Sequence, residues 1–311
     1  MKKIFFLLAI ITTLLSYSQN KYAPTAKGEL VQYVHYSLDY NDEHEQANWV
    51  YYRLTYDLIN GNAKRKDNFR SDNSISTRSA HPNDYKNSGY DKGHLCPAAD
   101  MKISQNAMDE TFYMSNMSPQ FPSLNRGKWS LLEDKIRSFV KDETDTLYVV
   151  TGPIFINNKG QIGSQNSITI PGFYYKVVYC PKRGGLAYIL PNNKINEILE
   201  SWLVSIDLVE ALTGIDFFSQ LDDEIENRIE AQVGSWDRPT IVAQKKSKNI
   251  ELKKDSHISE NNIEENNETT DCEKIKNDYK KIIIVRNILL VICIILLTVV
   301  IFCLAKRKES N

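Results

Sequence analysis

His94 is the side chain of this 311-residue chain best suited to move a proton near neutral pH. It closes the string Asp91-Lys92-Gly93-His94, directly after Gly89 and Tyr90, which places it at a strand end or turn. An imidazole can take a proton from water, and phosphodiester hydrolysis needs such a base together with a cation on the phosphate. Asn125 and Glu133 offer oxygens for that cation. On one continuous helix they would lie about 12 Å apart along the axis, an awkward pair of direct ligands. Asn125 could then hold the ion while Glu133, leaning toward the helix N-terminus, holds its waters. Taken singly, each residue has a simpler account. A lone histidine more often packs than reacts, Asn125 can be a helix N-cap, and Glu133 can belong to a solvated face.

These side chains need a frame. Residues 29–38 and 49–58 alternate polar with apolar or aromatic positions and read as two antiparallel strands, with the polar stretch 39–48 between them. Residues 64–70 (KRKDNFR) form a basic patch suited equally to phosphate contact or to a solvated loop. Residues 71–88 are loop-like, and 112–117 suggest a short strand ended by Pro119. From Asn125 to about residue 141, Trp129, Leu132, Ile136, Phe139 and Val140 recur at helical spacing. Residues 146–150 read as a strand turned by Thr151-Gly152-Pro153. Residues 172–179 and 185–190 read as further strands. Helices are expected over 209–212, ended by Gly214, and over 222–233. His35, His44 and His81 are scattered, and tyrosines such as Tyr33, Tyr36, Tyr51 and Tyr52 suit sheet packing better than base stacking.

Both ends carry apolar segments. Residues 1–19 have a basic start at Lys2 and Lys3, an apolar run over 5–15, then Ser16, Ser18 and Gln19, the shape of an export signal or an uncleaved anchor. Residues 288–305 would span about 27 Å as a helix, close to a hydrocarbon core. The expected organisation is a signal peptide over 1–19, a globular domain over 20–240, a polar tether over 241–281, a transmembrane helix over 282–305 and a basic tail over 306–311. Basic residues flank the last helix equally, so the leader decides the orientation: globular part outside the cytoplasm, C-terminus inside. With a net charge of −1, any polyanion site must come from local clustering of Lys and Arg. Of the five cysteines, Cys96 and Cys180 could form a disulfide after export, but no spacing supports a disulfide or a zinc site.

The ordered motifs carry more than their members. SGYDKGHLCPAADM (88–101) followed by FYMSNMSPQFPSLNRGKWSLLE (112–133) resembles the DNA/RNA non-specific endonucleases, the ββα-metal nucleases that include endonuclease G. His94, Asn116, Pro119-Gln120, Asn125, Trp129 and Leu132-Glu133 follow the family's order, and the likeness extends over about residues 30–235. It implies an α+β fold in which a central antiparallel sheet is flanked by helices and a ββα-metal finger forms the active site. It implies His94 as general base, Asn125 as side-chain ligand of Mg²⁺ (or Mn²⁺), Glu133 as organiser of the ion's waters and Arg65 as the cation steadying the phosphate. Asn116 would support the histidine, and Asp91 would brace its strand. The family arginine before Gly-His is Lys92 here, which keeps the charge for substrate binding but loses the bidentate fork. The expected activity is endonucleolytic hydrolysis of DNA and/or RNA with little sequence preference, leaving 5′-phosphates. The rival expectations are a membrane-tethered nucleic-acid binder or a surface interaction protein without catalysis. A homodimer is left open.

Overall fold

In the computed structural model, residues 22–140 and 144–236 are described. The expected leader, tether, C-terminal helix and tail lie outside the described residues. Among the described residues no helix is long and apolar enough to cross a membrane.

The alternating stretch after residue 28 makes three strands where the sequence suggested two: β1 (Glu29–Gln32), β2 (Tyr36–Asn41) and β3 (Gln46–Thr55). The polar stretch 39–48 is mostly strand because its polar groups satisfy one another. Asp39, fully buried, accepts from the backbone N–H groups of Lys27 and Gly28 and from Asn48 Nδ2. Asn41 Nδ2 donates to Asn48 Oδ1, so the hairpin ends are tied by amides. Later strands are β4 (Asp91–His94), β5 (Met117–Gln120), β6 (Thr146–Ile154), β7 (Gln161–Ile162), β8 (Ile168–Thr169), β9 (Phe173–Cys180), β10 (Gly184–Pro191) and β11 (Leu203–Val204). The main sheet runs β1-β2-β3-β6-β9-β10-β11, antiparallel throughout.

Two prolines expected to end strands lie inside them. β6 continues through Gly152 and Pro153, which pair with Tyr175 and Tyr174 of β9. Pairing of β6 with β3 stops at Thr151, so at Pro153 one side of the strand needs no backbone donor. Gly152 is required by close approach: a Cβ there would come within 2.3 Å of the Asn48 carbonyl oxygen. Pro119 lies in β5, whose ladder is the two-stranded pairing with β4. Its carbonyl oxygen is claimed from the main sheet by Tyr174 Oη and Asn192 Nδ2.

The sheet's two faces carry different layers. Tyr52, Thr151 and Lys176 face Asp100 and Trp129, beneath the unit that holds His94. Tyr175 and Tyr179 face the other way, onto Phe217 and Phe218. On that second side lie helices Ile206–Thr213, ended by Gly214 as expected, and Asp223–Glu230. Gly185 of β10 lies close to Ile206 and Ile229 of these helices. Cys96 and Cys180 are buried free thiols, which replaces the disulfide considered from the sequence.

One carboxylate fastens the loop beside the β4–β5 unit. Asp84 accepts from the backbone N–H groups of His81, Ser164 and Gln165 and from Asn166 Nδ2. Burial alone would raise its pKa, but these hydrogen bonds outweigh it and hold the carboxyl below its ordinary range. Asp84→Ala should cost about 2–4 kcal/mol. Thermal unfolding should then fall on the order of 5–10 °C at neutral pH. A depressed folded pKa stabilises above the unfolded value, so the gap from the parent should narrow as pH falls below about 4.

Candidate active site

The unit that carries the motif residues is β4, β5 and the helical segment after them. β4 and β5 pair antiparallel, Asp91 with Gln120, Lys92 with Pro119, Gly93 with Ser118 and His94 with Met117. Gly93 is needed because a Cβ there would meet the Gln120 side chain at 2.3 Å. The helical pattern from residue 125 is not one straight helix. Leu124–Trp129 is a wide π-type turn broken at Gly127 (φ −117°, ψ −106°), and the regular helix is Ser130–Arg137. Asn125 and Glu133 therefore sit on separate segments, and a spacing computed along one axis does not apply. The reason is the glycine, which adopts backbone angles that an ordinary helical residue avoids.

Asn125 is oriented by Asp91. Its Nδ2 donates to Asp91 Oδ2 at 2.9 Å. A carboxylate can receive only the N–H side of the amide, so Oδ1 is left as an acceptor for a cation. Asp91 also accepts from Arg126, Nε at 2.8 Å and Nη2 at 2.6 Å. Burial would raise the Asp91 pKa, but the hydrogen bonds from Arg126 and Asn125 bring it below the usual range. The bracing role expected for Asp91 thus reaches beyond its strand to the turn that carries Asn125.

His94 is 8% exposed, between the rings of Phe112 at 4.9 Å and Phe69 at 5.8 Å. Burial, then the positive charge of Arg65, lowers its pKa to about 3, so the ring is neutral at physiological pH. Its Nε2 is buried without a hydrogen-bond partner. A neutral imidazole has one ring nitrogen free to accept a proton. Arg65 lies over the other participant, its guanidinium 5.2 Å from the Phe112 ring, and pairs with Asp67 at 2.7 Å. Lys92 holds its ammonium 4.9 Å from the Phe69 ring and 5.9 Å from Tyr85. Arg65 and Lys92 are thus grouped with His94 through shared aromatic rings.

Asn116 is fully buried. Its Oδ1 accepts from Cys96 N at 2.9 Å, and its Nδ2 donates to the carbonyls of Cys96 and Thr111. Its contacts are with backbone, and they fix the chain just after His94. Glu133 lies toward the sheet, among Lys176, Asp100 and Arg137. Burial raises its pKa while Lys176 and Arg137 oppose the rise.

That lower layer was not anticipated. Lys176 is 1% exposed, donates to Thr151 Oγ1 at 2.7 Å and stands 5.0 Å from the Trp129 ring. Asp100 accepts from Tyr52 Oη at 2.9 Å and from Arg137 Nη1 at 2.6 Å. A lysine inside the apolar run FYYKVVY was the available sign, since a charge in a buried strand demands partners. The other histidines stand apart: His44 stacks on Phe155, and His81 accepts from Asn83 N at the start of a short helix.

The chain is similar to known nucleases. A family model described as DNA/RNA non-specific endonuclease matches residues 17–224. A nuclease of Nostoc sp. is 35% identical over 215 residues, 64% of this chain and 76% of its own. Mitochondrial endonuclease G of Homo sapiens is 34% identical over 214 residues, 63% of this chain and 72% of its own. Nuclease C1 of Cunninghamella echinulata is 37% identical over 207 residues, 60% of this chain and 81% of its own. Among solved structures, a chain of the EndoG/EndoGI complex superposes with a TM-score of 0.58 at 28% identity, over 63% of this chain and 88% of that one. The matched region takes in the β4–β5 unit and every candidate site residue, and the chain belongs to the DNA/RNA non-specific endonuclease family.

Proposed function

We propose that this chain is a divalent-metal-dependent endonuclease that hydrolyses phosphodiester bonds of DNA and/or RNA with little sequence preference. The observation that carries the reading is a neutral His94 at one end of the strand whose other end, Asp91, holds the Asn125 amide by its nitrogen and leaves its oxygen free of the carboxylate.

A hard divalent cation such as Mg²⁺ or Mn²⁺ fits this donor set. Asn125 Oδ1 would be its side-chain ligand, and Glu133 would hold its waters. Bound there, the ion would offset negative charge on the phosphate and the leaving oxygen. The protein's own groups do the rest. His94 accepts a proton from the attacking water. Arg65 holds a phosphate oxygen, and Lys92 adds a positive charge on the same side. Asn116 keeps the chain after His94 from shifting, and Asp91 keeps the Asn125 amide from flipping. No part of this arrangement reads a base edge, which accounts for weak sequence preference.

The leader and the second apolar segment support an exported, membrane-anchored placement, with residues 20–280 outside the cytoplasm and the C-terminus inside. That placement separates a nuclease of low specificity from the cell's own nucleic acid. Protease added to intact cells should then remove the nuclease domain while a C-terminal tag stays protected. A domain that resists protease until the cells are lysed contradicts the placement.

Plasmid and RNA should be cut with Mg²⁺ and spared with EDTA. His94→Ala should lower kcat by about 10²–10⁴-fold with Mg²⁺ present. Binding without metal-dependent cleavage would favour the non-catalytic reading. Lys92→Ala should raise KM more than it lowers kcat and flatten the salt dependence of binding by about one unit of slope. Lys92→Arg should restore the slope. An unchanged salt slope in Lys92→Ala would remove Lys92 from the substrate surface.

A further inference from the structure

The second side of the sheet gathers several acids on two neighbouring helices. Helix α1 is Ile206–Thr213 and helix α2 is Asp223–Glu230. Asp207 and Glu210 lie three residues apart, on one face of α1. Glu230, the last residue of α2, comes to the same place. One ligand oxygen from each of the three lies within 4.8 Å of the other two. Oxygens held by one Ca²⁺ at about 2.3–2.6 Å can be no more than about 5 Å apart, so the three fit around a single ion.

A group of acids on a surface is ordinary, but Glu230 is not on the surface. It is 7% exposed, and its Oε1 is buried with no hydrogen-bond partner. Glu226, one turn earlier in α2, also has a buried Oε1 without a partner. Glu210 accepts from the backbone N–H of Phe217 at 2.8 Å. Apart from burial and one backbone hydrogen bond, the largest influences on Glu210, Glu226 and Glu230 are other acids. Burial first, and then Glu210, Glu226, Asp207 and Asp216, push the Glu230 carboxyl up to about 9. Glu210 and Glu230 also sit in the last turns of their helices, where the backbone dipole disfavours negative charge. A buried carboxylate in such a place calls for a cation or a proton.

We propose that Asp207, Glu210 and Glu230 form a second cation site, suited to Ca²⁺, on the side of the sheet away from His94. Three carboxylates with flexible oxygen donors suit a hard ion of variable coordination number better than a small octahedral one. Bound there, Ca²⁺ ties α1 to the end of α2 and fastens both to β10. Its role is structural, since none of its ligands touches the β4–β5 unit. The inference is independent of the activity proposed above.

The test uses the full chain carrying Asn125→Ala, which disables the candidate catalytic cation site. After removal of metal with EDTA, Ca²⁺ is titrated calorimetrically and the Tm is followed. Stoichiometric binding and a rise in Tm are expected. Adding Glu230→Gln should weaken Ca²⁺ binding by at least about tenfold and abolish the Tm rise. Far-UV circular dichroism reports whether that variant folds. If it does not, Asp207→Asn, at an exposed position, should give the same loss. The proposal is overturned if the Asn125→Ala chain binds no Ca²⁺, or if binding is undiminished by the substitution in a folded variant. It is also overturned if Glu230→Gln stabilises the protein while Ca²⁺ has no effect, because a shared proton would then be neutralising the cluster.

Discussion

The carboxylate of Asp91 receives one N–H from the Asn125 amide and two from the Arg126 guanidinium. It begins the strand that His94 ends, and it grips the turn that follows β5. Two segments separated by some thirty residues of chain are thereby held in one orientation, with the amide oxygen of Asn125 turned away from the clamp. The Arg126 side chain is 72% exposed, so this ion pair adds little to overall stability. Its importance is directional. Without a carboxylate at this point, the Asn125 side chain could present either end to a cation, and only one end is a ligand.

Beneath the clamp lies a layer in which charge is buried and paired. Lys176 reaches from the middle of β9 toward Glu133 and Asp100, while Arg137 reaches Asp100 from the helix. Such a layer adds little net stability compared with an apolar core, because desolvation offsets most of the attraction. It does restrict which arrangements of helix on sheet are allowed, since any shift would strand a charge in the interior. Trp129, packed against Tyr174 and close to the Lys176 ammonium, marks the point where the kinked turn becomes the regular helix. The helix that bears Glu133 is thus located by the sheet, and the turn that bears Asn125 by Asp91.

The sequence made much of this legible, for a physical reason. His94, Asn125 and Glu133 stand in the order of a known family, which singled them out where each alone had a simpler account. The strands 172–179 and 185–190 and the helix stop at Gly214 were readable because period and punctuation are local properties. The errors arose where long-range contacts decide. Residues 39–48 look like a loop until Asp39 and Asn48 are seen to satisfy each other's polar groups. Pro119 and Pro153 look like terminators until their edges are known. The kink at Gly127 was hidden because the apolar rhythm begins only after it, at Trp129 and Leu132, and says nothing about the backbone before them. The role of Asn116, which bonds to backbone twenty residues earlier, has no local signature at all.

Net charge says little about how this molecule meets a polyanion, because local clusters of like charge exist within the near-neutral total. Arg65 and Lys92 gather with His94 around Phe69 and Phe112, beside the basic run 64–66. On the far side of the sheet stand Asp207, Glu210, Asp216, Glu226 and Glu230. A polyanion that met the proposed site would meet Arg65 and Lys92 there, so the near-neutral total of −1 does not describe the local charge. At physiological ionic strength exposed charges act over roughly 8 Å, so that local charge operates mainly at close approach. The acidic side, however, is costly to maintain inside a folded domain, since like charges are crowded there with one carboxylate buried. A bound cation relieves that local crowding and leaves the acids around it to repel a polyanion. The crowding of Asp207, Glu210 and Glu230 on the opposite face is the electrostatic demand that the proposed second ion would meet.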